Sequence, residues 1–252
     1  MNRNESFPAL NVSALNARLG WANLEVMVDD VENIQVLLSG DEGEIAEMKV
    51  ALHEGRLQVE QPSYGISTRI HNSKWMQVIV RLPRAWKGSV DASSVTGGVN
   101  VRSVTGTDLN LDTVSGDVRA SALTGISLTL HTVAGDILAH DLSGESLSLR
   151  TVSGKVRLDG ASFVSYRLND VSGDVALNLA GAFDRLDGVT VTGNVSITAP
   201  ITRADASLRA ISGRLLTEGV SIDSGGPRVA MSSVTANVRL ICSLKQTDEN
   251  NL

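Results

Sequence analysis

Thr113-Val114-Ser115-Gly116-Asp117-Val118 is answered nineteen residues later by Thr132-Val133-Ala134-Gly135-Asp136-Ile137, and again by Thr151-Val152-Ser153-Gly154-Lys155-Val156. The series extends to Val95-Thr96-Gly97, Val171-Ser172-Gly173, Val191-Thr192-Gly193 and Ile211-Ser212-Gly213. Successive glycines are 19, 19, 19, 19, 20 and 20 residues apart. A period this regular marks a repeat architecture. Weaker half-repeats lie between the strong ones at Val104-Thr105-Gly106, Leu123-Thr124-Gly125 and Leu142-Ser143-Gly144. Each unit therefore holds two turns and two short strands. Helical repeats need longer units, and Val, Thr, Ser and Gly are poor helix formers. The expected fold is all-β: a single-stranded parallel β-helix, or β-solenoid, with ~19-residue coils.

Aligning the units on the strong glycine produces columns. Seven residues before it stand Leu109, Leu128, Leu147, Tyr166 and Leu186; five before it stand Leu111, Leu130, Leu149 and Leu168. Two before it stand Val114, Val133, Val152, Val171, Val191 and Ile211, and two after it Val118, Ile137, Val156, Val175, Val195 and Leu215. All four columns are expected to be inward ladders, stacked about 4.8 Å apart. On that reading Val152→Asp costs several kcal/mol, about what an unpaired charge costs inside a core. The columns with Asp112, His131 and Arg150, and with Asp117, Asp136, Lys155 and Asp174, are mixed and polar and are expected to face outward. Six or seven coils make a rod on the order of 30 Å long.

Residues 1–88 do not repeat and hold all three tryptophans, Trp21, Trp75 and Trp86. Apolar runs at Leu24–Val28, Ile34–Leu38, Met48–Leu52, Leu57–Val59 and Met76–Leu82 predict strands, the last closed by Pro83. This predicts a small antiparallel β region over 1–88 capping the solenoid of 89–244, with a disordered tail at 245–252. Trp75 and Trp86 are expected to fill the core where the two regions meet.

The net charge of −6 and an aromatic content of 3% argue against a nucleic-acid partner. No apolar run is long enough to span a membrane and no signal peptide is visible, so the residues read as cytoplasmic. A cell-surface location would require a leader or anchor beyond them. Cys242, alone in the chain, cannot form an internal disulfide and is expected to act as a small core residue.

Nothing in the pattern assembles a catalytic, cofactor or metal site. The column of Asp117, Asp136 and Asp174 offers one carboxylate per coil and is interrupted by Lys155, too few oxygens for calcium. It is expected to serve turns by bonding its own backbone. His53, His71, His131 and His140 lack metal-ligand spacing. Asp112, His131 and the turn serines Ser115 and Ser153 lack the elbow of a nucleophile.

Serial Thr-Val-Ser-Gly-Asp-Val units, following a β region that ends in Val78-Ile79-Val80-Arg81-Leu82-Pro83, resemble the bacterial "putative adhesin" family, a DUF4097-like domain of unknown function. The resemblance covers roughly residues 20 to 240. It implies a parallel β-helix and adhesion or surface scaffolding, and it brings no catalytic residues. The expected function is a non-catalytic scaffold or adhesin-like binding protein with an unidentified protein or surface partner. The alternatives are a polysaccharide-active β-helix enzyme and a bactofilin-like self-assembling filament, which would make the chain a homo-oligomer.

Overall fold

A computed structural model describes residues 1–62 and 75–244. His71 and the tail over 245–252 lie outside the described residues. The chain is almost entirely β and forms a β-solenoid of parallel rungs. Asp108–Thr113 stacks on Ser89–Ser94 and under residues 127–132, with Leu109 level with Leu128 and Leu111 with Leu130. The register repeats upward through Leu147 and Leu149, then Tyr166 and Leu168. On the other side of the coil Val99, Val118, Ile137, Val156 and Val175 stack in the same way. These ladders are buried and belong to one continuous core. Tyr166 takes a leucine position within it, edge-on to Phe163 and Phe183 at 5.6 and 5.8 Å between ring centres.

The valine of the repeat does not face inward. Val95, Val114, Val152, Val171 and Ile211 are exposed, Val152 by 42%. The inward position belongs to the preceding residue, in the column Thr113, Thr132, Thr151, Asp170 and Thr190. Alternation along the strand requires this, since positions seven, five and three before the glycine share one face. At Thr113 and Thr132 the corner backbone supplies partners for the hydroxyl, whereas Thr151 Oγ1 is buried without one. Thr113 Oγ1 accepts from Gly116 N at 3.1 Å and donates to Gly97 O at 3.1 Å. Thr132 Oγ1 donates to Gly116 O at 3.1 Å. The valine is the first residue of the corner, and the parity slip lies beyond it. Val152→Asp would place its charge in solvent, so the cost of burying a charge does not apply.

The glycine is required by close approach. A Cβ on Gly135 would lie 2.0 Å from Gly116 O, and the same contact recurs up the column. The second corner of each coil is a left-handed residue at a spacing of nineteen: Ser103 (φ 60°), Ala122 (φ 51°), Asp141 (φ 55°) and Gly160 (φ 72°). It redirects the chain so that Val104, Leu123, Leu142 and Ala161 enter the core.

Stacking order departs from chain order at both ends. Ala14–Leu19 lies parallel between Arg56–Glu60 and Ser89–Ser94, and Asn23–Asp29 between Met76–Pro83 and Val99–Arg102. At the far end Arg228–Thr235 lies between Arg185–Thr192 and Arg203–Ser212. Val238–Cys242 lies likewise between Val195–Ala199 and Leu215–Glu218. The rungs thus run 56–60 with 76–83, then 14–29, 89–102, 108–121, 127–140, 146–159, 165–179, 185–199, 228–242 and 203–218. Among the described residues antiparallel pairing is confined to the first end. There Asn33–Gly40 lies on Met76–Pro83, Asn2–Pro8 on Asn33–Gly40, and Lys49–His53 on Arg56–Glu60. The turn-rich stretch around Asp41 holds a short helix, Glu42–Glu47. Trp86 is buried, its Nε1 donating to Val12 O at 2.7 Å, whereas Trp75 is 59% exposed rather than core-filling.

Candidate binding groove

The outward columns of the repeat differ in side-chain length, and that difference shapes a groove. On the face carrying residues 127–131, Ser127, Ser146 and Ser165 stack in one column that continues to Arg185 and Arg228. Thr129 and Ser148 stack in the next, under Arg167 and Asp187. His131, Arg150 and Asn169 form the third. Short hydroxyl side chains occupy the middle coils and long guanidinium side chains rise around them. The resulting depression of about 400 Å³ is lined by these serines, Thr129, Arg150, Arg167, Arg185 and Asp187, with Leu147 and Tyr166 beneath.

Charge in the groove is uneven. Arg185 pairs with Asp187 along its own strand. Arg150 and Arg167 have no carboxylate partner among the described residues, so the groove carries unneutralised positive charge in a chain of net charge −6. The Ser148 hydroxyl is buried at the floor without a hydrogen-bond partner. Ser146 and Ser165 donate weakly to Ile126 O and Glu145 O, at 3.5 and 3.4 Å. Guanidinium forks with adjacent hydroxyls are suited to carboxylates and sugar hydroxyls.

The carboxylates singled out in the sequence lie on the other face of the coil and brace the stack. Asp117 Oδ1 accepts from the Asp136 backbone N–H at 3.1 Å, Asp136 Oδ1 from Lys155 N at 2.8 Å, and Asp174 Oδ1 from Asn194 N at 3.2 Å. Each aspartate thus bonds the backbone of the next coil rather than its own. His131 Nδ1 is hydrogen-bonded to Asp112 Oδ2 one coil below, and His140 Nδ1 lies 3.2 Å from Asp141 Oδ2. The Ser153 hydroxyl turns to Val133 O at 3.4 Å, away from a triad arrangement. Among the described residues no three His, Cys, Asp or Glu side chains converge on a metal position. Cys242 is a half-buried free thiol packed against the core.

The groove was missed in the sequence because its columns look like solvent-facing filler. The available signal was the run of serines at a spacing of nineteen giving way to arginine within the same columns.

Comparison with known proteins agrees with this architecture. No curated protein matches the chain. Among solved structures, a "putative adhesin" from Parabacteroides merdae superposes with a TM-score of 0.65 at 12% identity, covering 95% of each chain. A "putative lipid binding protein" from Parabacteroides distasonis superposes with a TM-score of 0.63 at 16% identity, over 94% of this chain and 96% of that one. A second "putative adhesin" from P. distasonis gives 0.62 at 11% identity, over 95% and 97%. At these identities the likeness is one of fold. No helix among the described residues is long and apolar enough to cross a membrane. The Toastrack DUF4097 profile matches residues 13–223, most of the solenoid and its first rungs, and the chain belongs to that family.

Proposed function

We propose that this protein is a non-catalytic binding scaffold whose Ser/Arg groove holds an acidic saccharide. The observation that carries the reading is the pair Arg150 and Arg167, both without a carboxylate partner, on the rim of a hydroxyl-floored groove. The rigid stack of coils holds these side chains at fixed intervals, which suits a ligand that repeats along its length. The adhesin labels of structures with the same fold point the same way. A surface location belongs to this proposal; fractionation of the native cell decides between it and the cytoplasm.

The test is calorimetric titration with oligogalacturonate, using a neutral oligosaccharide of equal length as control. Binding of the acidic ligand alone, weakened about tenfold or more in Arg150→Ala/Arg167→Ala, is the expected result. Equal affinity for the two saccharides, or an unaffected double variant, would defeat the proposal. Release of new reducing ends on incubation would show the enzyme alternative instead.

A further inference from the structure

The aspartate column on the opposite face changes sign near the far end of the solenoid. In stacking order it reads Asp117, Asp136, Lys155, Asp174, Asn194, Asn237, Arg214. The last two are neighbours only because rung 228–242 is inserted beneath rung 203–218. Their separation of 23 residues in the chain breaks the repeat period. In the adjoining column Ser196 is level with Arg239, and Arg239 with Leu216.

Lower in the column a carboxylate receives the backbone N–H of the rung above, as Asp117, Asp136 and Asp174 do. Gly98 and Lys155 carry no side-chain acceptor for the amide of the rung above. At the top the arrangement differs. Asn194 turns its Nδ2 down to Asp174 Oδ1 at 3.4 Å. The N–H groups of Asn237 and Arg214 find no acceptor among the described residues. In place of the acceptor there is a hollow of about 700 Å³, lined by Asn194, Ser196, Arg214, Asn237 and Arg239 with Val195 and Leu216. Arg239 keeps one contact, its Nε 3.4 Å from Glu218 Oε1, while Arg214 has no carboxylate partner among the described residues.

We infer that this hollow is an oxyanion site, in which the carboxylate or phosphate group of a ligand takes the place that the rung's own aspartate fills lower in the stack. The donors available among the residues that line the hollow are the unpaired backbone amides of Asn237 and Arg214, the Arg214 guanidinium, the outer nitrogens of Arg239 and the Asn237 side-chain amide. An oxyanion accepts several such bonds at once, and charge-assisted bonds are the strong ones. The site lies on a different face from the Ser/Arg groove and stands independently of it.

The experiment is titration of the full chain with inorganic phosphate and, separately, with glucuronate, read by backbone amide chemical shifts. Millimolar binding with shifts at Asn237 and Arg214 is expected for at least one probe, and the comparison assigns the anion type. Arg214→Ala should weaken it about tenfold. Asn237→Asp should abolish it by supplying the missing carboxylate internally, with an unchanged or raised melting temperature. Arg150→Ala/Arg167→Ala should leave it unaltered. If neither probe shifts these amides, or if Asn237→Asp binds as the native chain does, the inference fails.

Discussion

Thr113→Val is nearly isosteric and tests which side chain of the repeat supports the stack. Thr113 is fully buried. Its hydroxyl holds the Gly116 N–H and the Gly97 carbonyl at once, both at 3.1 Å and both buried. Valine keeps the shape and removes both bonds. A buried backbone group left unpaired costs about 1–3 kcal/mol, so two cost roughly 2–6 kcal/mol by the same measure. The added methyl returns at most ~0.8 kcal/mol. The net loss should be about 1–5 kcal/mol. The matched control is Val114→Thr at the next residue, 41% exposed, which should change stability by no more than ~0.5 kcal/mol. Urea unfolding followed by circular dichroism measures both, with equal slopes required for the comparison. If the two variants unfold at the same midpoint, the hydroxyl ladder is not what closes the corner.

Gly135→Ala drives a methyl to 2.0 Å from the Gly116 carbonyl oxygen, and thermal melting should show a loss of at least ~2 kcal/mol. Ala122→Gly should do the reverse. Ala122 is exposed at φ 51°, and relieving a left-handed alanine outweighs the entropy of glycine by ~0.5–1 kcal/mol, readable as a higher urea midpoint. Asp170 occupies a threonine rung and is buried, with Oδ1 unpaired and Oδ2 accepting from Thr190 Oγ1 at 2.8 Å. Burial pushes its carboxyl above the ordinary range, against the lowering pull of the Thr190 hydroxyl. The folded state therefore holds this proton more tightly than the unfolded chain. The contribution of Asp170 is most favourable below the unfolded value, near 3.9, and declines as pH rises through the folded one. Asp170→Thr should remove that decline and raise stability at neutral pH by ~1–2 kcal/mol; midpoints that fall with pH equally in both proteins would contradict it.

The nineteen-residue spacing of the glycines carried the solenoid, because a Cβ there would lie about 2.0 Å from the carbonyl oxygen of the coil below, which admits no other residue and so leaves a periodic trace. Leu109, Leu111 and Val118 were legible as inward for a similar reason: apolar columns at even spacing have one reading. Val114 misled because hydrophobicity alone separates it from Thr113, and a buried threonine with two backbone partners contradicts that measure. The first and last rungs were obscured for another reason. Ala14–Leu19 and Val238–Cys242 pair with segments far from them in sequence, which no local period records. The groove rests on the unlike lengths of Ser148, Arg167 and Asp187 within one column, a difference that acquires meaning only once the rungs are stacked.

The insertion of rung 14–29 beneath the strands 56–60 and 76–83, and of rung 228–242 beneath 203–218, has a kinetic side. An ordinary repeat array can nucleate anywhere, fray from its ends and lose a terminal unit without harm to the rest. Here each end is stitched. The outermost rung is an internal stretch of chain, and the rung supporting it arrives from elsewhere in the sequence. Closing the far end pairs residues 228–242 with 185–199 across the intervening rung 203–218, which adds a loop-closure cost that neighbouring repeats do not carry. The same stitch denies a truncated chain any stable stopping point: a chain ending at Pro227 would lose the rung that joins 185–199 to 203–218. The array is thus built from repeats without being modular, and its length is set by its two interlocked ends.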